Sequence, residues 1–337
     1  MGTCNSKEII QCSLTNGMII ELILPPDYND STSYPIMLFN DGETVFSGSG
    51  LNAKFTIDKL IKEKSIKPII TVAVYASGKR NNLYIPYDDD WITRNWGAYK
   101  PQAEQYYSEI INVLIPFIDE RFSIDKNEIG IGGVSLGGLV STWMGLKYPE
   151  KIKYSASLSG SFWVDDYRIF NEVRELGYNF GNKFWFDIGA TTGEWNYYVP
   201  LYSKLDSVGV TPGEQSFYFE EKDAEHIFPD WRKRLELPLK IFFGTTDLEA
   251  EKMNVVLECI DSSSTLGLRF RRMNPIITLS NKAKFSLAHA ATYKLLSGNG
   301  LLGSEGSFAN DSGDELKVLI EYKEFSEQVT IPSGFCQ

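Results

Sequence analysis

The chain of 337 residues is poor in basic side chains. Its 33 lysines and arginines stand against 44 aspartates and glutamates, and the formal net charge is −11. Proteins that bind nucleic acid need a basic face, so we expect no nucleic-acid partner. The sequence also lacks any run of about 18 apolar residues, the length that crosses a bilayer. We therefore predict no membrane-spanning helix.

Cysteine is scarce as well. The four cysteines show none of the short spacings typical of metal sites, so we expect neither a metal nor another cofactor, and we interpret them as structural residues or free thiols. They are Cys4, Cys12, Cys259 and Cys336.

The opening MGTCNS matches the N-myristoylation pattern, with Cys4 as an acceptor for palmitate. Cys4 could also be the lipid-bearing first residue of a lipoprotein. We favour a third interpretation, in which Met1-Gly2 replaces a removed signal peptide. That interpretation favours an extracytoplasmic location, periplasmic or at the cell surface, over a cytoplasmic one.

Strand-like and helix-like segments alternate over most of the chain, and 43% of the residues are hydrophobic, enough for a large core. The apolar run 34–42 is typical of a buried strand, whereas 101–122 and 230–244 have helical spacing. The alternation predicts an α/β domain over residues 1–247, with a mostly parallel sheet and helices on both faces. Residues 248–337 show short strand-like runs separated by Ser, Gly, Asn and Asp, which predicts a small, sandwich-like all-β module.

The stretch IGIGGVSLGGLV, residues 129–140, places five glycines around one serine. Its core, from Gly133 to Gly137, is a G-x-S-x-G motif between an apolar strand and a helix. In the α/β-hydrolase fold this motif forms the nucleophile elbow, a strained turn that lifts the serine hydroxyl above the sheet. Glycine is needed on both sides because a Cβ would clash where the chain folds back. We predict Ser135 as the nucleophile; the alternative is a glycine-rich turn that only packs.

A nucleophilic serine needs a base, and the chain has two histidines. His226 follows a strand and precedes a helix late in the α/β domain, which matches the α/β-hydrolase order of serine, acid and histidine. His289 falls in the β-rich region and is interpreted as an ordinary packed or surface residue. We therefore predict His226 as the base.

The acid should lie between Ser135 and His226, in a loop at the carboxyl edge of the sheet. The segment KFWFDIGATTGEW, residues 183–195, supplies a strand and such a loop. We prefer Glu194, which lies beyond the strand, and keep Asp187, within the strand, as the alternative. Either carboxylate could hold the histidine tautomer and stabilise its cation.

The oxyanion hole takes one backbone N–H from the residue after the nucleophile, Leu136. The second donor should come from the turn after an early strand, and LFNDGETVF (38–46) provides Gly42 and Glu43. The alternative for this segment is a plain turn without a functional role.

Several of these segments resemble the esterase-D-like family of α/β-hydrolases, which includes siderophore esterases such as enterochelin esterase, feruloyl esterases and S-formylglutathione hydrolases. The resemblance covers residue 17 to about 245, and its most specific parts, the elbow and SLSGSFW (157–163), are nearest to the siderophore esterases. It implies a triad of Ser135, His226 and an acid, although the loop that leads to Glu194 is longer than is usual in the family. The matching stretches are LFNDGETVF, NVLIPFIDERF, IGGVSLGG, SASLSGSFW and EHIFPDWRKRL.

The resemblance also implies a substrate-facing segment over residues 75–102. Arg80 and Arg94 could there meet a carboxylate or catecholate, and Trp96 could stack on an aryl acyl group. Trp163 begins WVDDY, which we expect to form a further wall of the pocket. The alternative for this segment is an ordinary surface loop.

The sequence thus predicts a serine hydrolase that cleaves small-molecule carboxylic esters through an acyl-enzyme. The substrates left open are siderophore-type aryl lactones, feruloyl-type esters and simple acyl esters. An acyltransferase on the same scaffold is one alternative. The other is a binding protein without turnover, whose C-terminal module contacts a glycan or a protein.

Overall fold

Nine strands form a mostly parallel sheet within the part of the chain that the computed structural model describes, namely residues 2–4, 8–175, 181–189, 205, 210–261, 269–310 and 314–336. The strand order is β1-β2-β3-β5-β4-β6-β7-β8-β9. The first three strands are antiparallel to their neighbours, and the pairs from β5 to β9 are parallel. The strands are β1 (Thr3–Cys4), β2 (Ile10–Ser13), β3 (Ile19–Ile23), β4 (Tyr34–Phe39), β5 (Ile70–Val74), β6 (Ile124–Val134), β7 (Tyr154–Leu158), β8 (Lys183–Gly189) and β9 (Ser216–Glu221).

Helices connect the parallel strands, and two hydrophobic clusters pack against the sheet. Every residue of β4, β5 and β7 is buried, as expected for central strands covered on both faces. The predicted α/β-hydrolase fold is confirmed. The helices are α1 (Gly42–Val45), α2 (Ala53–Lys62), α3 (Arg80–Tyr84), α4 (Asp90–Trp96), α5 (Ala103–Glu109), α6 (Ile115–Asp119), α7 (Leu136–Lys147), α8 (Val164–Glu175), α9 (Phe228–Arg234) and α10 (Glu236–Phe243).

Proline interrupts two helices that the sequence pattern predicts as continuous. Between α5 and α6 the chain takes a π-helical turn, Ile110–Leu114, just before Pro116. The predicted helix over 230–244 begins at Phe228 and divides at Leu235, shortly before Pro238. A proline ring has no N–H to donate to the carbonyl four residues earlier, so the regular α-helical hydrogen bonding is broken at both places.

The C-terminal region forms antiparallel sheets, and the predicted all-β character is confirmed. One sheet has the order β10-β11-β12, another β13-β16-β17, and β14 pairs with β15. The strands are β10 (Ala250–Asp261), β11 (Arg269–Leu279), β12 (Lys284–Ser286), β13 (Thr292–Ser297), β14 (Leu301–Leu302), β15 (Phe308–Ala309), β16 (Leu316–Tyr322) and β17 (Phe325–Ile331).

The C-terminal sheets share a hydrophobic core with the α/β region. The rings of Phe217 on β9 and Phe285 on β12 meet edge to face at 5.4 Å. Beside them, Arg272 of β11 forms a buried ion pair with Glu220 of β9. The contact between the two regions is therefore part of the protein interior, and the boundary at residue 247 stays a prediction.

All four cysteines are paired: Cys4 with Cys12, and Cys259 with Cys336. The interpretation as free thiols is therefore wrong, and the one as structural residues holds. The Cys4 sulfur is bonded to Cys12, so in this structure it carries neither palmitate nor a lipoprotein thioether. Among the described residues, no helix is long and apolar enough to cross a membrane.

Candidate active site

Ser135 lies in a sharp turn between β6 and α7, with φ 55° and ψ −120°. A positive φ is strained for a residue with a side chain, and such strain is concentrated at functional sites. The turn is held by the Ser135 N–H, which donates to the Leu158 carbonyl at 2.9 Å. A Cβ on Gly133 would lie 2.8 Å from the carbonyl carbon of Gly137, so the close approach explains this glycine.

The Ser135 hydroxyl is half-buried and lies 3.1 Å from the Ser161 hydroxyl. Ser161 is fastened to the same turn, because its N–H donates to the Ser135 carbonyl at 3.1 Å. Ser161 was not among the residues predicted from the sequence. Its position in SLSGSFW, one of the stretches that resemble the esterase family most specifically, could have indicated that it lies at the site.

Ser135 and His226 line one cavity of about 530 Å³ at the carboxyl edge of the sheet. Ser135 follows the last residue of β6, and His226 lies in the loop between β9 and α9. The cavity wall also includes Asp41, Glu43, Arg80 and Trp231.

The loop that carries His226 is held by a hydrogen bond and a ring contact to the beginning of α9. The Asp230 carboxylate accepts a hydrogen bond from the Glu225 N–H at 2.8 Å. Trp231 meets the His226 ring edge to face at 4.8 Å, and its indole N–H donates to Ser159 at 3.0 Å. The imidazole therefore packs against an aromatic ring that is itself hydrogen-bonded to the end of the sheet.

Of the two candidate acids, Asp187 belongs to the described part of the chain and Glu194 does not. Asp187 is fully buried in β8 and accepts hydrogen bonds from the Trp185 indole and from Arg234, both at 2.8 Å. Burial raises the pKa of Asp187, and the charge of Arg234 opposes that rise. Arg234 also binds Glu221 at 2.9 Å, so it ties the ends of β8 and β9 to α9.

The turn after β4 reaches the same cavity as Ser135. Asp41 has a left-handed backbone with φ 59°, and Gly42 begins α1. A Cβ on Gly42 would lie 2.7 Å from the Val74 carbonyl carbon, so this glycine lets the turn pack against β5. The Glu43 carboxylate accepts hydrogen bonds from the N–H groups of Ala76 at 3.2 Å and Ser77 at 2.8 Å. Leu136, which directly follows Ser135, is the first residue of α7, where backbone N–H groups have no intrahelical acceptor.

Asn40, which was not among the residues predicted from the sequence, joins this turn to the helix that follows Ser135. Its amide NH2 donates to the Gly137 carbonyl at 3.1 Å and to the Ser141 hydroxyl at 2.9 Å. The Tyr106 hydroxyl donates to its amide oxygen at 2.6 Å. All these groups are buried, so Asn40 fixes the spacing between the two sides of the predicted oxyanion hole.

The two predicted substrate-binding arginines lie in different surroundings. Arg80 lines the cavity, but its guanidinium is paired with Asp41 through two hydrogen bonds, of 2.6 and 2.9 Å. Arg94 is exposed on α4, where it donates to the Asp90 carbonyl of its own helix at 3.0 Å.

Trp96 and Trp163 meet Trp91 in a cluster in which the three rings are mutually edge to face, with centroids 5.4–5.6 Å apart. Trp91 is 49% exposed and Trp96 46%, so the cluster presents ring surface to solvent. Trp163 follows Ser161 by two residues, and the Ser161 hydroxyl lies 3.1 Å from that of Ser135, so the cluster begins close in sequence to a neighbour of Ser135. Such amphipathic rings bind flat or apolar ligands at low entropic cost.

His289, the second histidine, packs against Tyr218 at 5.6 Å in the C-terminal region. Burial and the nearby charge of Arg272 lower its pKa to about 3. Within the described part of the chain, no group of three His, Cys, Asp or Glu side chains is placed to hold a metal ion.

Comparison with solved structures identifies the same fold in known proteins. BES protein from Bacillus cereus superposes with a TM-score of 0.59 at 18% identity, over 72% of this chain and 97% of that chain. The enterobactin esterase FES from Shigella flexneri, solved in the presence of enterobactin, gives 0.56 at 15% identity, over 72% of this chain and 58% of that one.

Sequence comparison adds a family assignment. The uncharacterized protein YbbA of Bacillus subtilis (strain 168) is 26% identical over 148 residues, 43% of this chain and 57% of YbbA, so the match spans little more than half of that relative. The sequence model of the family described as "Putative esterase" matches residues 12–236, about two thirds of the chain. The protein belongs to this esterase family.

Proposed function

We propose that this protein is a serine hydrolase that cleaves carboxylic esters through an acyl-enzyme. The observation that carries the proposal is the cavity shared by Ser135 and His226, with the serine on a strained turn at the end of a central strand. Membership of the esterase family supports ester hydrolysis independently of that geometry.

In the proposed reaction His226 accepts the proton of the Ser135 hydroxyl as its oxygen attacks the ester carbonyl. The N–H groups of Leu136 and of Gly42 or Glu43 stabilise the oxyanion that forms. His226 then protonates the departing alcohol. Water, activated by the same imidazole, attacks the acyl-enzyme and releases the acid and the free serine.

We propose Glu194 as the acid of the triad. In the α/β-hydrolase arrangement the acid follows the strand next to the one that precedes the histidine, and here that strand is β8, which ends at Gly189. Asp187 lies inside β8, and its carboxylate is occupied by Trp185 and Arg234. Its contacts support a structural role.

Aryl or siderophore-type esters are the substrates we propose. The exposed rings of Trp91 and Trp96, which pack against the half-buried Trp163, offer a stacking surface for an aryl group. The enterobactin esterase of similar fold acts on enterobactin, as its name states, and another protein of similar fold is named a siderophore hydrolase, which supports testing such substrates first. Arg94, exposed at the same cluster, could meet an acidic group of the ligand.

We also propose an extracytoplasmic location, because disulfides persist in oxidising compartments and all four cysteines are paired. Contact of the C-terminal module with a glycan or a protein remains a separate proposal, tested by binding rather than by turnover.

The test is labelling with a fluorophosphonate probe together with hydrolysis of p-nitrophenyl acetate. Ser135→Ala should abolish labelling and lower turnover by several orders of magnitude, because triad residues act as a unit. Ser326→Ala, which removes an exposed hydroxyl of the C-terminal module, is the matched control.

Undiminished turnover in Ser135→Ala would refute the serine mechanism. A wild-type protein that neither labels nor turns over any ester in a panel with a catecholate trilactone and methyl ferulate would favour the binding protein. Transfer of the acyl group to an added alcohol in preference to water would favour the acyltransferase.

A further inference from the structure

Arg80 and Asp41 form a two-point ion pair in the wall of the active-site cavity. Arg80 Nε lies 2.6 Å from Asp41 Oδ1, and Arg80 Nη2 lies 2.9 Å from Asp41 Oδ2. Parallel hydrogen bonds of this kind fix the guanidinium and the carboxylate relative to each other. Arg80 Nη2 also donates to the Val134 carbonyl at 3.3 Å.

The pair touches both backbone segments that the proposed reaction uses. Asp41 immediately precedes Gly42 and Glu43, whose N–H groups are the proposed oxyanion donors, and Val134 immediately precedes Ser135. The N–H of Asp41 is itself bound to the Tyr84 hydroxyl at 2.8 Å, so the turn is also fixed from its other side. Arg80 therefore connects the oxyanion turn with the last peptide before the nucleophile.

The opposite charges of Arg80 and Asp41 also affect the electrostatics of the proposed oxyanion hole. The Asp41 side chain is largely buried, and burial raises the pKa of its carboxyl while Arg80 opposes that rise. A carboxylate without a counter-charge beside an oxyanion hole would oppose the negative charge that develops on the substrate oxygen. A neutral ion pair removes most of that opposition.

We propose that Arg80 is a positioning residue that neutralises Asp41, so that the turn of Gly42 and Glu43 can accept an oxyanion. This assignment rests on the proposed ester hydrolysis. It also replaces the expectation that Arg80 binds a substrate carboxylate, because the guanidinium already holds Asp41 and the Val134 carbonyl.

The experiment measures kcat and KM on p-nitrophenyl acetate, an uncharged ester, for Arg80→Ala, Asp41→Asn and the double variant. Arg80→Ala should lower kcat about 10²-fold, the size of effect seen when one oxyanion donor is lost, with little change in KM. The double variant should recover about tenfold over Arg80→Ala, because it carries no unpaired carboxylate. Arg121→Ala, which removes an arginine paired with Glu120 at the end of α6, is the control.

A higher kcat in the double variant than in Arg80→Ala distinguishes charge neutralisation from a purely structural role of the ion pair. If the contacts alone mattered, the double variant would be the less active one, because it has lost more of them. A double variant less active than Arg80→Ala would overturn the proposal, and so would Arg80→Ala with at least half of the wild-type kcat. An effect confined to KM, or seen solely with anionic esters, would show a substrate-binding role and overturn it too.

Should Arg80→Ala not fold, Arg80→Lys, which keeps the charge, must retain more kcat than Arg80→Gln. Fluorophosphonate labelling of Ser135 in the wild type tests the serine mechanism, whereas the kcat values of the Arg80 variants test this assignment. The two proposals can therefore fail independently.

Discussion

Arg234 and Asp187 form a buried ion pair in which Arg234 Nε lies 2.8 Å from Asp187 Oδ1, and the two side chains are 1% and 0% exposed. Arg234 belongs to the helix that follows His226, and Asp187 belongs to β8. The pair therefore ties the helix after the proposed base to the sheet. It also gives Asp187 a structural partner of opposite charge.

Substitution of the two candidate acids should separate their roles. Glu194→Gln is expected to lower kcat by several orders of magnitude, because the histidine would lose the group that orients it. Asp187→Asn should instead destabilise the protein by about 1–3 kcal/mol, because the buried Arg234 loses one of its two carboxylate partners and keeps Glu221. Turnover and denaturant unfolding of both variants provide the measurements. A large loss of kcat in a fully folded Asp187→Asn protein, with Glu194→Gln active, would identify Asp187 as the acid.

Removal of the Asn40 amide should affect both stability and turnover. Asn40→Ala leaves the Tyr106 hydroxyl, the Ser141 hydroxyl and the Gly137 carbonyl without this partner in a buried site. We expect a loss of about 1–3 kcal/mol in the free energy of unfolding and a lower kcat. Thermal unfolding and kinetics on p-nitrophenyl acetate test this. Asn112→Ala, at an exposed helical position, should change neither, and an equal response from both variants would contradict the assigned role.

The tryptophan cluster should discriminate between acyl groups. Trp96→Ala is expected to raise KM for an ester with an aromatic acyl group, such as methyl ferulate, by about tenfold, because stacking on one ring contributes about 0.5–1.5 kcal/mol beyond the area buried. The KM for p-nitrophenyl acetate, whose acyl group is small, should change much less. Phe55→Ala removes an exposed ring on α2 and serves as the control. Equal changes in KM for both esters would argue against an aryl subsite at the cluster.

Glu128 should make a pH-dependent contribution to stability. Burial raises the pKa of this carboxyl, but the hydrogen bond from Tyr154 and the charges of Lys67 and Lys153 outweigh burial, so the pKa lies below its ordinary value of 4.5. A lowered pKa in the folded state adds stability that is present above pH 4.5 and lost as the pH falls through the lowered value. Glu128→Gln should therefore have a lower Tm than the wild type at pH 7. The difference should shrink below pH 4.5; one that stays constant or grows on acidification would show that the carboxylate is not responsible.

The elements that the sequence pattern predicts most closely are those with strong local signals. The strand over 34–42 is found at Tyr34–Phe39, and the elbow has the turn that its glycines indicate. Two helices were predicted as continuous and are interrupted, because hydrophobic spacing does not register the missing N–H of Pro116 and Pro238.

Sequence alone determined the fold class and the sharp turn at Ser135, because periodicity and the steric need for glycine are properties of neighbouring residues. The partners of Arg80 and Asp187, which lie 39 and 47 positions away, and the pairing of the four cysteines were decided by tertiary structure. The order of the strands in the sheet brings the carboxyl ends of β4, β6, β8 and β9 together at one edge. Contacts across that edge join residues that are distant in sequence, which is why the local pattern did not predict the pairing of Arg80 with Asp41.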